Sequence, residues 1–253
     1  MVEKGLARRI DSENYDVHDL VREFLVRSMD DSLKMELHSN AVDWYRKRSN
    51  SAAEKIEFIH HLDSSNDYDQ LAEVLMEEGS GLVKAGHTEL LGILRGLDSD
   101  GFEPLNWGFI RELRGDILSL QGRWDEAEKE YDAAIPIARK NKQISRLASL
   151  LSARADIAVQ RGAMDDALAL HSQPLEIQVS SRDAVGAAKS YINMGYIFRR
   201  RRDTRHALEV YGNVEELLDV EMNPELMDAR IRLAAAFLEM DELDRARDHA
   251  MTA

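Results

Sequence analysis

Carboxylate and histidine side chains one helical turn apart can hold a metal ion, and the sequence places Glu57 and His60 in this way. The Glu-x-x-His spacing occurs in metal sites of helical bundles, which also need a second copy and two further carboxylates on facing helices. The sequence shows no second copy. His61 directly follows His60, but adjacent side chains on a helix point about 100° apart and cannot chelate one ion by themselves. We therefore predict no metal site.

A glycine-containing segment, Gly81 to Thr88, is a candidate for phosphate binding. It has the glycine spacing of a P-loop, but His87 stands where the phosphate-binding lysine belongs. The segment also follows a predicted helix, whereas a P-loop follows a strand that presents its amide groups to the phosphate. We interpret it as a turn between helices and predict no cofactor in this chain.

No set of side chains is spaced for nucleophilic catalysis. Serines are numerous, but none lies in a predicted strand-to-helix elbow, and the histidines other than His60 and His61 are scattered one to a helix. We predict no catalytic residues and a chain that is not an enzyme. A helical enzyme is the weaker alternative, and it would show a closed polar pocket with clustered titratable groups.

The overall charge and hydropathy limit the class of partner. With 47 acidic and 33 basic residues the net charge is −14, which disfavours nucleic-acid binding because phosphate contacts need a positive surface. No signal-peptide core is present, and the longest apolar run, Leu233 to Leu238, is far shorter than the roughly 20 residues needed to cross a bilayer. We expect a soluble, cytoplasmic protein that binds neither membranes nor nucleic acid directly.

One basic cluster departs from this acidic background: Arg199 to Arg202, followed by Arg205. Guanidinium groups bind carboxylates through paired hydrogen bonds, so the cluster is suited to an acidic peptide. The alternative is a solvated helix end, where positive charge is favourable without any ligand.

A repeated pattern predicts the elements that carry this cluster. Four alanines stand 40, 40 and 39 residues apart, at Ala127, Ala167, Ala207 and Ala246. Twelve residues before them are the small residues Gly115, Ala155, Gly195 and Ala234, and four residues after them are Tyr131, His171, Tyr211 and Ala250. Residues four apart share a helical face, so the rings are expected to wedge between helices that the small residues bring close. A fixed period of this length predicts stacked pairs of antiparallel helices.

The turns inside these helical pairs differ in sequence. Gly122 and Gly162 end the first helix in the first two units, as is usual for glycine. Arg202 and Asp241 take that place in the last two units, where we expect less tight turns. Pro174 lies within a predicted second helix and is expected to end or bend it early.

With a small residue at the eighth position and alanine at the twentieth of each unit, the chain from Leu105 to its end resembles tetratricopeptide repeats. The resemblance implies an all-α fold, an α-solenoid in which helical hairpins stack as a right-handed superhelix, with four units over residues 104–253 and the last one truncated. It also implies a concave groove on the first helices, where a protein, a peptide or a small inducer would bind. In the third unit the groove residues would be Lys189, Ile192, Asn193, Tyr196, Arg199 and Arg200.

The first hundred residues follow a different pattern. Leu6 to Ile10 and Tyr15 to Val17 are predicted as two short strands of a hairpin, followed by an amphipathic helix that starts near Asp19. The hydrophobic-His-Asp sequence at Val17, His18 and Asp19 resembles the end of the winged-helix domain in STAND-class signalling ATPases. This resemblance implies that residues 1–34 are a winged-helix remnant and that His18 contacts the β-phosphate of ADP. Asp19 is also a plain helix cap that needs no nucleotide, and for this chain by itself we favour that interpretation, because the other nucleotide-binding parts are absent from the sequence.

Residues 35–103 are predicted as a helical connector of degenerate hairpins, similar to the segment that links the winged helix to the repeats in STAND proteins. The combined resemblance implies a non-catalytic sensor or arm region of a STAND-type regulatory ATPase, acting in signal transduction or transcriptional regulation. ATP or ADP would then be a cofactor of the full-length parent. The alternative is a free-standing tetratricopeptide scaffold or co-chaperone that binds acidic peptide segments.

Overall fold

The computed structural model describes residues 7–9, 15–17, 24–25, 27–48, 50–220 and 227–252. The chain divides into two compact units, Met1–Leu82 and Val83–Ala253. The three segments predicted from the sequence have other boundaries, and that division stays a prediction. No helix within the described ranges combines the length and the apolar content that crossing a membrane requires.

The first unit begins with the hairpin that the sequence predicts. Strands β1 (Ala7–Arg9) and β2 (Tyr15–Val17) pair antiparallel, with Ala7 opposite Val17. His18 and Asp19 lie outside the described residues. The winged-helix assignment therefore stays a prediction.

Two capped helices follow in this unit. The side chain of Asp30 accepts a 2.8 Å hydrogen bond from the Leu33 amide at the start of α1 (Asp31–Tyr45). Ser51 and Glu54 form a reciprocal capping box at the start of α2 (Ala52–Ser64), which packs against α1. Helix α3 (Tyr68–Lys84) crosses the boundary between the units.

The second unit is built almost entirely of paired helices. A short helix α4 (Leu90–Gly96) and one turn of 3₁₀ helix (Ser99–Gly101) precede them. The pairs are α5 (Pro104–Leu120) with α6 (Trp124–Lys140), α7 (Ile144–Gln160) with α8 (Met164–Ser180), α9 (Ala184–Arg200) with α10 (Thr204–Val220), and α11 (Met227–Glu239) with α12 (Leu243–Thr252). Helices α5 to α10 are each 17 residues long. Three-residue turns separate them where the chain is described, which accounts for the 40-residue period.

The turns have one geometry whatever their sequence. The middle residue has a positive φ both at Gly162 (75°) and at Arg202 (59°). The amide of the next residue donates a hydrogen bond to the carbonyl five residues earlier. Ala163 donates to Ala158 and Asp203 donates to Phe198, both at 2.9 Å. This is the Schellman pattern of helix ends. The expectation of less tight turns at Arg202 and Asp241 was therefore wrong, because the hydrogen bonds impose the left-handed conformation even without glycine.

The repeat residues lie where the helical pattern places them. The marker alanines are buried, with Ala127, Ala167 and Ala207 fully inaccessible. Each hairpin packs internally, and the first helices also contact one another in the order α5, α7, α9, α11. Pro174 was expected to end or bend its helix early; it does not end the helix, since α8 runs on to Ser180, and the bend stays a prediction.

Candidate binding groove

The first helices of the last three hairpins form a groove, which we call the inner groove. Two adjoining cavities of about 320 Å³ each lie along α7, α9 and α11. They share Asn193, Tyr196 and Arg232, so they form one continuous surface. The remaining lining residues are Asp156, Val159 and Gln160 of α7, Ile192, Arg199 and Arg200 of α9, Tyr211 of α10, and Ala235, Ala236 and Glu239 of α11.

Five of the six predicted groove residues line this surface, although they differ in what they offer a ligand. Ile192 is 7% exposed and belongs mainly to the apolar core between the hairpins. Asn193 donates a 2.9 Å hydrogen bond to Asp156, and Tyr196 presents an exposed ring. Lys189 is exposed but does not contribute to the lining.

The two predicted arginines have different environments. Arg199 is mostly buried, and its guanidinium group forms an ion pair with Glu239 and a 3.3 Å hydrogen bond to the Ala236 carbonyl. It therefore ties α9 to α11. Arg200 is exposed and forms no ion pair with a carboxylate of the described residues, so its guanidinium group is available to a ligand.

Sequence reasoning missed four polar residues of the groove, and the repeat register would have found them. Asp156 and Gln160 stand 40 residues before Tyr196 and Arg200. Arg232 and Glu239 stand 39 residues after Asn193 and Arg200. The prediction was confined to the third unit, whereas equivalent positions of successive units line the same surface.

The next hairpin towards the N-terminus carries half-buried acids, Glu112 and Asp116, on its first helix. Burial and the charge of Asp116 raise the pKa of Glu112 to about 7. The charge of Arg146, whose Nε atom lies 3.2 Å from the Glu112 carboxylate, lowers this pKa and offsets only part of the rise. Burial raises the pKa of Asp116 to about 6, although Tyr131 donates a 2.8 Å hydrogen bond to its carboxylate.

The second hairpin, α7 with α8, has His171 at the position that Tyr131 and Tyr211 occupy in the first and third hairpins. His171 is fully buried, and neither ring nitrogen has a hydrogen-bond partner among the described residues. Its Nε2 lies 3.4 Å from Asp156, which in turn accepts the hydrogen bond from Asn193. A buried side chain thus contacts the floor of the groove.

The side chains of the inner groove can bind a ligand through hydrogen bonds, ion pairs and an apolar contact. Arg200 and Arg232 supply donors for carboxylates or carbonyls, Asp156 and Glu239 supply acceptors, and Tyr196 supplies an apolar ring face. Such a mixed, open surface suits an extended segment of another chain.

The sequence matches no protein-family model, and a comparison with curated proteins gives no match either. Solved structures share the fold. A signal transduction ATPase with numerous domains (STAND) from Pyrococcus horikoshii, with a tetratricopeptide repeat sensor, aligns over 99% of this chain and 44% of its own, at 14% identity and a TM-score of 0.57. The apo form of RapI aligns over 91% of this chain and 85% of its own, at 15% identity and a TM-score of 0.56.

BtubC from P. vanneervenii aligns over 88% of this chain and 89% of its own, at 17% identity and a TM-score of 0.51. The predicted fold, an all-α array of tetratricopeptide-like helical hairpins, is confirmed. At these identities the similarity establishes the fold alone. The chain spans less than half the length of the STAND protein that it resembles.

Proposed function

We propose that this chain is a non-catalytic recognition module whose inner groove binds an extended, acidic segment of a protein or peptide. The observation that carries the proposal is the alignment of equivalent repeat positions on α7, α9 and α11 into one polar groove. A stack of hairpins repeats its side chains at a regular spacing, which fits a partner that is itself extended.

The charges of the groove favour a carboxylate at one end of the ligand. Arg200 and Arg232 are exposed on neighbouring helices and line the same cavity. Arg199 holds Glu239 in an ion pair, which reduces the negative charge that this carboxylate would otherwise present beside them. An incoming carboxylate therefore meets guanidinium groups on two helices.

We place this module in the sensor or arm region of a STAND-type regulatory ATPase. In this role, ligand capture in the groove releases a nucleotide-binding domain from its ADP-bound resting state. Support comes from the sequence Val17-His18-Asp19, from the strand pairing that ends at Val17, and from the repeat fold that follows. ADP bound by the full-length parent, with His18 at its β-phosphate, is part of this proposal.

Fluorescence anisotropy with labelled peptides tests the groove. We expect peptides with a run of acidic residues and a free carboxyl terminus to bind, and neutral peptides of the same length not to bind. Arg200→Glu should weaken binding by about 10 to 100-fold, because a hydrogen bond to a charged group contributes about 1.5 to 3 kcal/mol. Arg205→Glu is the matched control, since Arg205 is also exposed but lies on α10, outside the lining. Equal losses in both variants would refute groove binding.

Nucleotide retention tests the STAND assignment separately. In the protein expressed from its full reading frame, His18→Ala should lower ADP retention, while the peptide affinity of the groove stays unchanged. Unchanged ADP retention together with normal peptide binding would remove the STAND role and leave the recognition function, as expected for a free-standing scaffold.

A further inference from the structure

Three histidine rings meet in the first unit, on two helices that pack against each other. His38 lies on α1, and His60 and His61 lie on α2. One ring nitrogen from each histidine lies within 4.8 Å of the other two. The Nδ1 atoms of His38 and His61 are only 2.8 Å apart, so one ring donates a hydrogen bond to the other.

The arrangement of the rings matches that of imidazoles around one ion. The ring centroids are 5.8 Å apart between His38 and His60, 5.0 Å between His38 and His61, and 5.4 Å between His60 and His61. Zinc bonds imidazole nitrogens tetrahedrally at about 2.0 to 2.1 Å, which places bound ring centroids about 5 Å apart. A small opening of the His38–His61 contact, together with an inward shift of the His60 ring, would bring one nitrogen of each ring to a shared ion.

The third ring removes the objection that adjacent histidines cannot share an ion. His60 and His61 diverge along α2, and His38 from the facing helix lies close to both. The three rings therefore come together only because α1 packs against α2. The sequence of either helix alone does not predict the site.

The electrostatic surroundings favour a bound cation. The charge of Glu57 acts on His61, and Asp63 and His60 interact through their charges. Two carboxyl groups thus flank the three rings.

We propose that His38, His60 and His61 form a binding site for one Zn²⁺ ion, with three ring nitrogens as ligands and the fourth position open. His60 is exposed, so the open position faces solvent and takes water or an external donor. The bound ion would link α1 to α2. Such a link matters because Val42 is the one buried residue among the described side chains of α1, while Leu37 and Trp44 are more than 40% exposed.

Metal titration of untagged, chelator-treated protein tests the site. Calorimetry should show one Zn²⁺ bound per chain, and Zn²⁺ should raise the Tm because it binds the folded state. Co²⁺ should give the visible absorption bands of a tetrahedral nitrogen-ligated ion. His60→Gln, which alters an exposed ring, should lower the Zn²⁺ affinity at least about tenfold, and His38→Gln and His61→Gln should do the same.

His206→Gln is the matched control, because His206 is an exposed histidine hydrogen-bonded to Asp203 and is remote in sequence from the cluster. Its Zn²⁺ affinity should stay within about twofold of the unaltered protein, well short of the tenfold loss from removing a ligand. Equal affinities for His60→Gln and His206→Gln, or the absence of one-to-one binding, would overturn the proposal. His60→Gln decides the matter even if His61→Gln fails to fold.

Discussion

Tyr211 packs its ring against the backbone of Gly195, with no room for a Cβ atom between them. The same relationship joins Tyr131 to Gly115, where an added Cβ would lie 2.5 Å from a ring carbon. Each contact crosses one hairpin, from the first helix to the second. Glycine therefore fixes how closely these helix pairs approach.

Gly195→Ala should destabilise the protein by about 1 to 3 kcal/mol, because the methyl group overpacks a filled site. Urea denaturation followed by circular dichroism measures the change. Gly212→Ala is the control, since Gly212 lies within α10 and a Cβ there meets nothing within 4 Å. This variant should be stabilised by about 0.5 to 1 kcal/mol through helix propensity. Destabilisation of similar size in both variants would show that the Tyr211 contact is not the cause.

The second hairpin replaces the glycine and tyrosine pair by Ala155 and His171. Both residues are fully buried. His171→Tyr should destabilise the protein because the longer ring meets the Ala155 methyl group. Combining it with Ala155→Gly should restore room for the ring and let its hydroxyl donate to Asp156, as Tyr131 does to Asp116.

A double-mutant cycle measures this coupling. The double variant should be more stable than the sum of the two single changes predicts, by about 1 kcal/mol or more. Additive effects would mean that the two positions do not share a contact. The outcome would also establish whether the residue sizes at these positions are matched within each hairpin.

The hairpins were predictable from sequence because their packing repeats locally. Ala127 and its equivalents recur with the period of two 17-residue helices and two short turns, so one pattern determines every helix pair. Arg202 was misjudged because residue preference was weighed without the hydrogen bonds that hold the turn. The repeated pattern therefore predicts the helix pairs, whereas the residue type at one turn position does not predict the conformation of that turn.

The site residues were only partly predictable because their contacts depend on packing between distant residues. Position in the repeat led us to Asn193, Tyr196 and Arg200, which line a cavity of the structure, while their role in binding stays a prediction. The ion pair of Arg199 with Glu239 joins successive hairpins, and His38 meets His61 across two helices. Spacing within one helix does not identify Glu239 as the partner of Arg199 or His38 as the partner of His61. The sequence therefore indicated the groove surface but not these two contacts.

Glu112 should make the stability of the protein fall as the pH rises. Its pKa is about 7 in the folded state and near 4.5 when unfolded, so the folded state binds an extra proton between these values. The stability from this protonated carboxyl is complete below about pH 4.5 and is lost as the pH rises to about 7. Glu112→Gln keeps a neutral side chain at every pH. The variant should therefore gain about 2 kcal/mol relative to the unaltered protein between pH 5 and pH 8.

Denaturation curves at several pH values check this difference. Glu126→Gln is the control, because hydrogen bonds and charge from Arg123 lower the pKa of the exposed Glu126 carboxylate. Stability from a group with a lowered pKa is constant above pH 5 and is lost only at lower pH. The Glu126→Gln profile should thus run parallel to the unaltered protein from pH 5 to pH 8. A Glu112→Gln profile that is also parallel would show that the carboxylate is already charged in the folded state.

Lys142 occupies the left-handed position of the turn between α6 and α7, with a φ of 56°. A side chain in this conformation costs about 1 to 2 kcal/mol, and glycine relieves that strain but adds about 0.4 to 1 kcal/mol of unfolded-chain entropy. Lys142→Gly should therefore stabilise the protein by about 0.5 kcal/mol. Lys140→Gly changes another exposed lysine, two residues earlier in the last turn of α6, and should destabilise it by up to about 1 kcal/mol. Thermal denaturation should therefore show a higher Tm for Lys142→Gly and a lower Tm for Lys140→Gly. A loss of stability in both variants would mean that the turn carries no backbone strain.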